Sequence, residues 1–81
     1  MANKSKFIGA KVFLNQIDVL KKFVNVTSSL DCDLDLVSGR YVIDAKSIMG
    51  IFSLDLSKPI EINIYSEDKN ILKQLEEFIV E

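Results

Sequence analysis

Histidine is absent from these 81 residues, as is tryptophan, and there are one cysteine, one proline and three glycines. Without an imidazole no Ser–His or Cys–His nucleophile pair can form. Cys32 stands alone, which excludes an internal disulfide and any two-cysteine metal motif. A single thiol in an apolar–polar alternation reads as a small buried hydrophobe. Three glycines leave no room for a Gly-rich phosphate loop. No apolar run reaches the roughly 18 residues of a membrane span, and no signal-peptide core is present. Taken together, these absences point to a cytoplasmic, non-enzymatic protein with no metal, no cofactor and no membrane partner, and the free thiol agrees with that compartment.

What is present fits one domain over residues 1–81. A chain of this length buries roughly two thirds of its unfolded surface, so it has one modest core. With 48% hydrophobic and 27% charged residues it is globular rather than disordered. A net charge of −2 argues against a nucleic-acid partner, which requires Lys and Arg clustered on one face. Lys4, Lys6 and Lys11 form only a weak basic cluster, read as a solvated N-terminus.

The hydrophobic period changes along the chain. Phe7 to Leu14 read as a strand with Val12 and Leu14 on one face, and Gly9 marks a bulge or a frayed start. Asn15 is placed to cap a helix, and Asp18 gives its first turn a carboxylate. Ile17, Leu20, Phe23, Val24 and Thr27 then repeat at helical spacing, predicting about 14 residues of helix ending near Ser29. Asp31, Asp33 and Asp35 alternate with Cys32, Leu34 and Leu36, the period of a half-buried strand. Ser38-Gly39 turns the chain into a second strand, Tyr41 to Asp44. The three aspartates could suggest a divalent ion, but carboxylates spaced by two along a strand lie about 7 Å apart, and a solvated face is the better reading.

Ser47 to Leu54 predict a short helix, and Ile60, Ile62 and Ile64 a fourth strand entered through Pro59. Ser66 and Asp68 are positioned to cap a last helix with Ile71, Leu72, Leu75, Phe78 and Ile79 on its apolar side and Glu76 and Glu77 in solvent. Alternating strands have one wet face, so helices can cover only the other. The expected architecture is α+β, an open-faced sandwich of four antiparallel strands with three helices on one face, in the order β-α-β-β-α-β-α.

The run Asp44-Ala45-Lys46-Ser47-Ile48-Met49-Gly50-Ile51-Phe52-Ser53-Leu54 resembles the start of the second helix in HPr, the phosphocarrier family of the bacterial sugar phosphotransferase system. The resemblance is most specific between Asp31 and Ile64 and implies the same open-faced fold. Family members carry phosphate on a histidine before the first helix, followed by an arginine, and some carry a regulatory serine at the second helix. Counting back from Ser47 without gaps puts Gln16 at the histidine position and Asp18 at the arginine position. Alternatively, the glycine-containing carrier loop is deleted, because Val12-Phe13-Leu14 runs straight into Asn15. On either alignment the carrier site is missing.

The serine site is better preserved. Ser47 matches the regulatory position, and a serine there can cap the first turn whether or not it is modified. Positions i, i+3 and i+4 share a side, so Ile48, Ile51 and Phe52 cannot face the core together with Met49. We therefore expect Met49 and at least one of Ile48 and Phe52 to be partly exposed, either as a surface that docks a partner or as ordinary apolar surface. The resemblance implies a partner-binding set of Lys46, Ile48, Met49 and Phe52. It extends to the catabolite-repression paralogue of HPr, which has glutamine in place of the histidine. Implied partners are an HPr kinase/phosphatase acting on Ser47 and a LacI-type transcriptional regulator. Asp18 departs from the arginine which that regulator's contact expects. Two other readings stand: a phosphocarrier by family membership only, or a structural module that self-associates through a sheet edge or the second-helix patch. The chain would be a monomer or a weak dimer.

Overall fold

Strand alternation decides which face of the sheet is covered. The computed structural model describes residues 7–80, in seven elements: β1 (Ile8–Val12), α1 (Ile17–Ser28), β2 (Asp33–Ser38), β3 (Tyr41–Asp44), α2 (Ile48–Phe52), β4 (Ile60–Tyr65) and α3 (Asn70–Leu75). The strands lie in the order β1-β4-β2-β3, and every neighbouring pair is antiparallel. Val12, Leu34, Leu36, Ile60, Ile62 and Ile64 are buried beneath the helices, while Lys11, Asp33 and Glu61 on the opposite face are exposed. Each such aliphatic side chain contributes about 1.5–3 kcal/mol on burial. This is the open-faced α+β sandwich that the sequence pattern predicts.

β2 and β3 form a hairpin closed by Ser38 and Tyr41. Gly39 takes φ +61°, a conformation open to glycine at the first position of a two-residue turn. From α1, Leu20, Phe23 and Thr27 pack into the core, and Phe23 meets Phe78 edge-on with ring centroids 5.3 Å apart.

Several boundaries differ from expectation. β1 begins and ends inside the predicted 7–14 span, and Gly9 is no bulge: the register with β4 runs unbroken from Ile8↔Ile64 to Val12↔Ile60. The cap of α1 is Gln16, not Asn15, and its side chain makes no capping bond. The helix has 12 residues and ends at Ser28. It starts at the turn in which the Gln16 carbonyl accepts the Leu20 N–H at 2.9 Å, which brings Leu20, Phe23 and Thr27 inward; burial outweighs the weaker preference of a cap. Ile17, expected on the inner face, is 47% exposed.

α3 is shorter than its apolar spacing suggested. It stops at Leu75, and Ile79 forms a bridge with Val12. Val80 donates to the Lys11 carbonyl at 2.9 Å, and Phe13 donates to the Phe78 carbonyl at 3.0 Å. Pairing with the unfilled edge of β1 satisfies backbone groups on both segments, which a longer helix would not. Lys69, rather than Ser66 or Asp68, is the α3 cap. The two predicted side chains act one step earlier: Asp68 Oδ1 accepts the Asn70 N–H at 2.9 Å, and Ser66 Oγ accepts the Asp68 N–H at 3.1 Å. Of the N-terminal lysines, Lys11 is exposed, and Lys4 and Lys6 lie outside the described residues.

Candidate functional site

The turn from Asp44 into α2 is held by a run of backbone hydrogen bonds. As β3 ends, the Asp44 carboxylate accepts the Lys46 N–H at 2.9 Å and the Asp44 carbonyl accepts the Ser47 N–H at 3.0 Å. Between them Ala45 is fully buried, donating to the Leu34 carbonyl at 2.9 Å. Its own carbonyl accepts a bond of 2.9 Å from the hydroxyl of Thr27, a polar residue buried in the core. That hydroxyl also reaches the Val24 carbonyl at 3.2 Å. Thr27 thus ties α1 to the turn that leads into α2.

Ser47 is the N-cap of α2. It is extended, at φ −104° and ψ 103°, and its Oγ accepts the Gly50 N–H at 3.2 Å. This meets one of the donors that a helix start leaves without a partner. Gly50 sits where the helix crosses β3: a Cβ there would lie 2.7 Å from Ile43 Cγ2 and 3.3 Å from Ser47 Oγ. The close approach draws α2 onto the sheet and settles its orientation. Ile51 turns fully inward, Ile48 is half-buried, Met49 is 77% exposed and Phe52 49% exposed. The expectation that Met49 and one of its neighbours face solvent holds, with Phe52 as that neighbour.

Lys46 is turned back toward the fold. Its ammonium donates to the Leu30 carbonyl at 2.8 Å, beyond the end of α1. The residue is half-buried, so its charge lies beside the serine's turn rather than projecting with Met49. Gln16 and Asp18 are exposed at the start of α1. No hydrogen bond or ion pair joins either of them to α2 among the described residues. The structure therefore gathers Lys46, Ser47, Ile48, Met49 and Phe52 into one turn and helix and leaves Gln16 and Asp18 on a separate element.

The remaining reactive groups are quiet. Cys32 is half-buried, and burial pushes its thiol above the usual cysteine range, opposed in part by a backbone hydrogen bond and the Lys46 charge. It is protonated at neutral pH. Among the described residues no three acidic or thiol side chains converge as metal ligands, Asp31, Asp33 and Asp35 included.

The family model described as "PTS HPr component phosphorylation site" matches residues 19–81, more than three quarters of the chain. The chain belongs to the HPr family. This is a family of phosphocarriers of the phosphotransferase system, which work with other proteins of that system and are not enzymes. The matched span begins just after Gln16 and Asp18 and contains the whole of the α2 site. Among solved structures, the chain is similar to the crystal structure of HPr-C-His from Thermoanaerobacter tengcongensis, with a TM-score of 0.68 and 22% identity. That likeness covers 89% of this chain and 88% of the other and shows the shared fold. A comparison with curated proteins finds no match. No helix among the described residues is long and apolar enough to cross a membrane.

Sequence reasoning found the helix and its cap but missed what positions them. Helical spacing places Thr27 in an apolar stripe, but a hydroxyl at that spacing must find a partner once buried. Gly50 offered a stronger signal, because glycine inside a helix costs roughly 1 kcal/mol relative to alanine unless something needs the space.

Proposed function

We propose that this protein is a non-enzymatic regulatory domain of the HPr family whose histidine carrier activity is lost and whose activity is recognition through α2, switched by phosphorylation of Ser47. One observation supports this reading above others. In a chain without histidine, Ser47, which by resemblance occupies the family's regulatory position, caps the helix that carries the exposed Met49 and Phe52.

The chemistry is direct. A kinase transfers the γ-phosphoryl group of ATP to Ser47 Oγ, forming the O–P bond and releasing ADP, with the hydroxyl proton taken by the kinase. The phosphate adds about −1.5 to −2 charge next to two apolar side chains and supplies oxygens that can replace Oγ as acceptor for the Gly50 N–H. A partner that reads both the charge and the Met49–Phe52 surface distinguishes the modified form from the unmodified one. By resemblance to the catabolite-repression paralogue, the kinase is a bifunctional HPr kinase/phosphatase and the reader a LacI-type regulator. On the ungapped alignment Asp18 stands where the regulator's contact expects arginine, which favours a reader with a basic counterpart there. At Gln16 an amide is a poor nucleophile and holds no titratable nitrogen, so a phosphohistidine-type step has no acceptor there.

Incubation with an HPr kinase and ATP is expected to add one phosphate, mapped to Ser47 by mass spectrometry and absent from Ser47→Ala. An unmodified chain beside a fully modified HPr control would overturn the switch. A separate assay with phosphoenolpyruvate and the general phosphotransferase enzyme is expected to leave no acid-labile phosphate. Labelling there would restore the carrier reading.

A further inference from the structure

The sheet has two edges, and they are treated differently. On the outer side of β1 the chain's own tail is seated, through the Val80–Lys11 and Phe13–Phe78 bonds. β3, the other edge, has no such cover among the described residues, and Tyr41 and Val42 are 64% and 61% exposed on it. Neighbouring Arg40 is exposed and takes part in no ion pair there.

Hydrogen-bond parity identifies the outward groups. Ala45 donates inward to the Leu34 carbonyl, and alternation then points the backbone of Ile43 and Tyr41 toward β2 and that of Val42 away from it. Exposed edges are usually blunted by short length, charged side chains, a proline or a bulge. β3 is short and ends in Asp44, but its run Tyr41-Val42-Ile43 carries no charge and no proline and consists of three residues that favour strands.

We propose that β3 is a self-association edge, on which two copies of this chain pair antiparallel about Val42 and join their sheets into one. The strand is complementary to itself in this register alone. With Val42 opposite Val42, the two residues exchange both outward N–H···O bonds. Tyr41 of each copy falls opposite Ile43 of the other, an aromatic–β-branched pair on the helix side. Arg40 of each copy falls opposite Asp44 of the other, giving two opposite-charge pairs. Centring the pairing on Ile43 instead sets Arg40 opposite Lys46, whose ammonium is turned back to the Leu30 carbonyl, and centring it on Tyr41 leaves Asp44 opposite Ser38; either shift loses both opposite-charge pairs. Charge therefore selects the Val42 register and selects a second copy over an arbitrary strand. A four-residue edge gives a small interface, below the roughly 1,200 Å² of stable complexes, so the dimer is transient. It leaves α2 exposed and is independent of the phosphoserine reading.

Sedimentation equilibrium of the full chain up to ~1 mM is expected to show a reversible monomer–dimer equilibrium. Arg40→Asp and Asp44→Arg, each first shown to be folded by circular dichroism, are each expected to weaken association about tenfold. Mixed in equal amounts they should regain it, because the heterodimer restores both opposite-charge pairs. Val42→Pro removes an N–H that the monomer's sheet does not use, so it should abolish the dimer with the monomer still folded. Met49→Glu should leave the dimer intact. A wild-type chain that stays monomeric throughout, a dimer indifferent to both charge reversals, or a dimer lost with Met49→Glu alone would each overturn the proposal.

Discussion

Gly50 shows how one missing side chain sets a site. In an exposed helix, replacing glycine by alanine gains up to about 1 kcal/mol. Here the new Cβ would lie 2.7 Å from Ile43 Cγ2, a methyl on a β-branched side chain with little freedom at χ1. Overpacking of this kind costs about 1–3 kcal/mol, which exceeds the helix gain. Gly50→Ala is therefore expected to lower the denaturant midpoint in urea unfolding and to shift the amide resonances of Ser47 and Ile51. At Asp55 a second residue-scale effect is electrostatic. The Ser57 hydroxyl donates to its Oδ1 at 2.6 Å and the Ser57 N–H at 3.1 Å, and both hold the carboxyl below the ordinary aspartate range. A depressed folded pKa favours the fold above the unfolded value of about 3.9, and the contribution is lost as pH falls through the lowered value. An NMR titration of Asp55 should show its midpoint rising in Ser57→Ala and the acid unfolding limb moving to higher pH.

At the scale of elements, the position of α2 depends on α1 through one hydroxyl. Thr27→Val keeps the shape of the side chain but leaves the Ala45 carbonyl without the bond that Thr27 Oγ1 supplies. A buried acceptor left unsatisfied costs about 1–3 kcal/mol. The expected signature is loss of stability together with faster hydrogen exchange at Lys46 and Ser47, upstream of any change in β1. The tail after α3 is a second joint between elements. Phe78 is buried against Phe23 while its carbonyl accepts the Phe13 N–H. Phe78→Ala is expected to cost about 3–5 kcal/mol in thermal unfolding. Its effect on exchange should concentrate at Phe13 and Val80, because the ring anchors the segment that closes the β1 edge.

For the whole molecule, the buried apolar side chains form one cluster shared by the sheet and all three helices. β4 lies between β1 and β2, so the sheet cannot close until a strand late in sequence has been inserted between two early ones. Partial structures consequently have little core of their own. Calorimetry is expected to give one transition with equal calorimetric and van't Hoff enthalpies, near 0.7 kcal/mol per residue at about 60 °C. Gly50→Ala and Thr27→Val both act on residues 44–50, so their combined effect should fall short of the sum of the two.

The order of elements, the buried face of each strand and the serine at the start of α2 are legible in the chain alone, because they depend on periodicity and local capping chemistry. Ile60, Ile62 and Ile64 could alternate inward in only one way, and helical spacing required that Met49, Ile48, Ile51 and Phe52 not all face the core. Tertiary structure decided the rest. The helical spacing of Phe78 and Ile79 was compatible with a longer α3, and only the empty edge of β1 drew them out of it. Asn15 had the chemistry of a cap, but the core positions of Leu20 and Phe23 set where α1 begins. Thr27 and Gly50 act through Ala45 and Ile43, partners distant in sequence, and no local pattern encodes such a contact. The physical reason is the same throughout: periodicity specifies what a segment must bury, whereas which unpaired backbone group or crowded methyl it meets depends on the segments that arrive beside it.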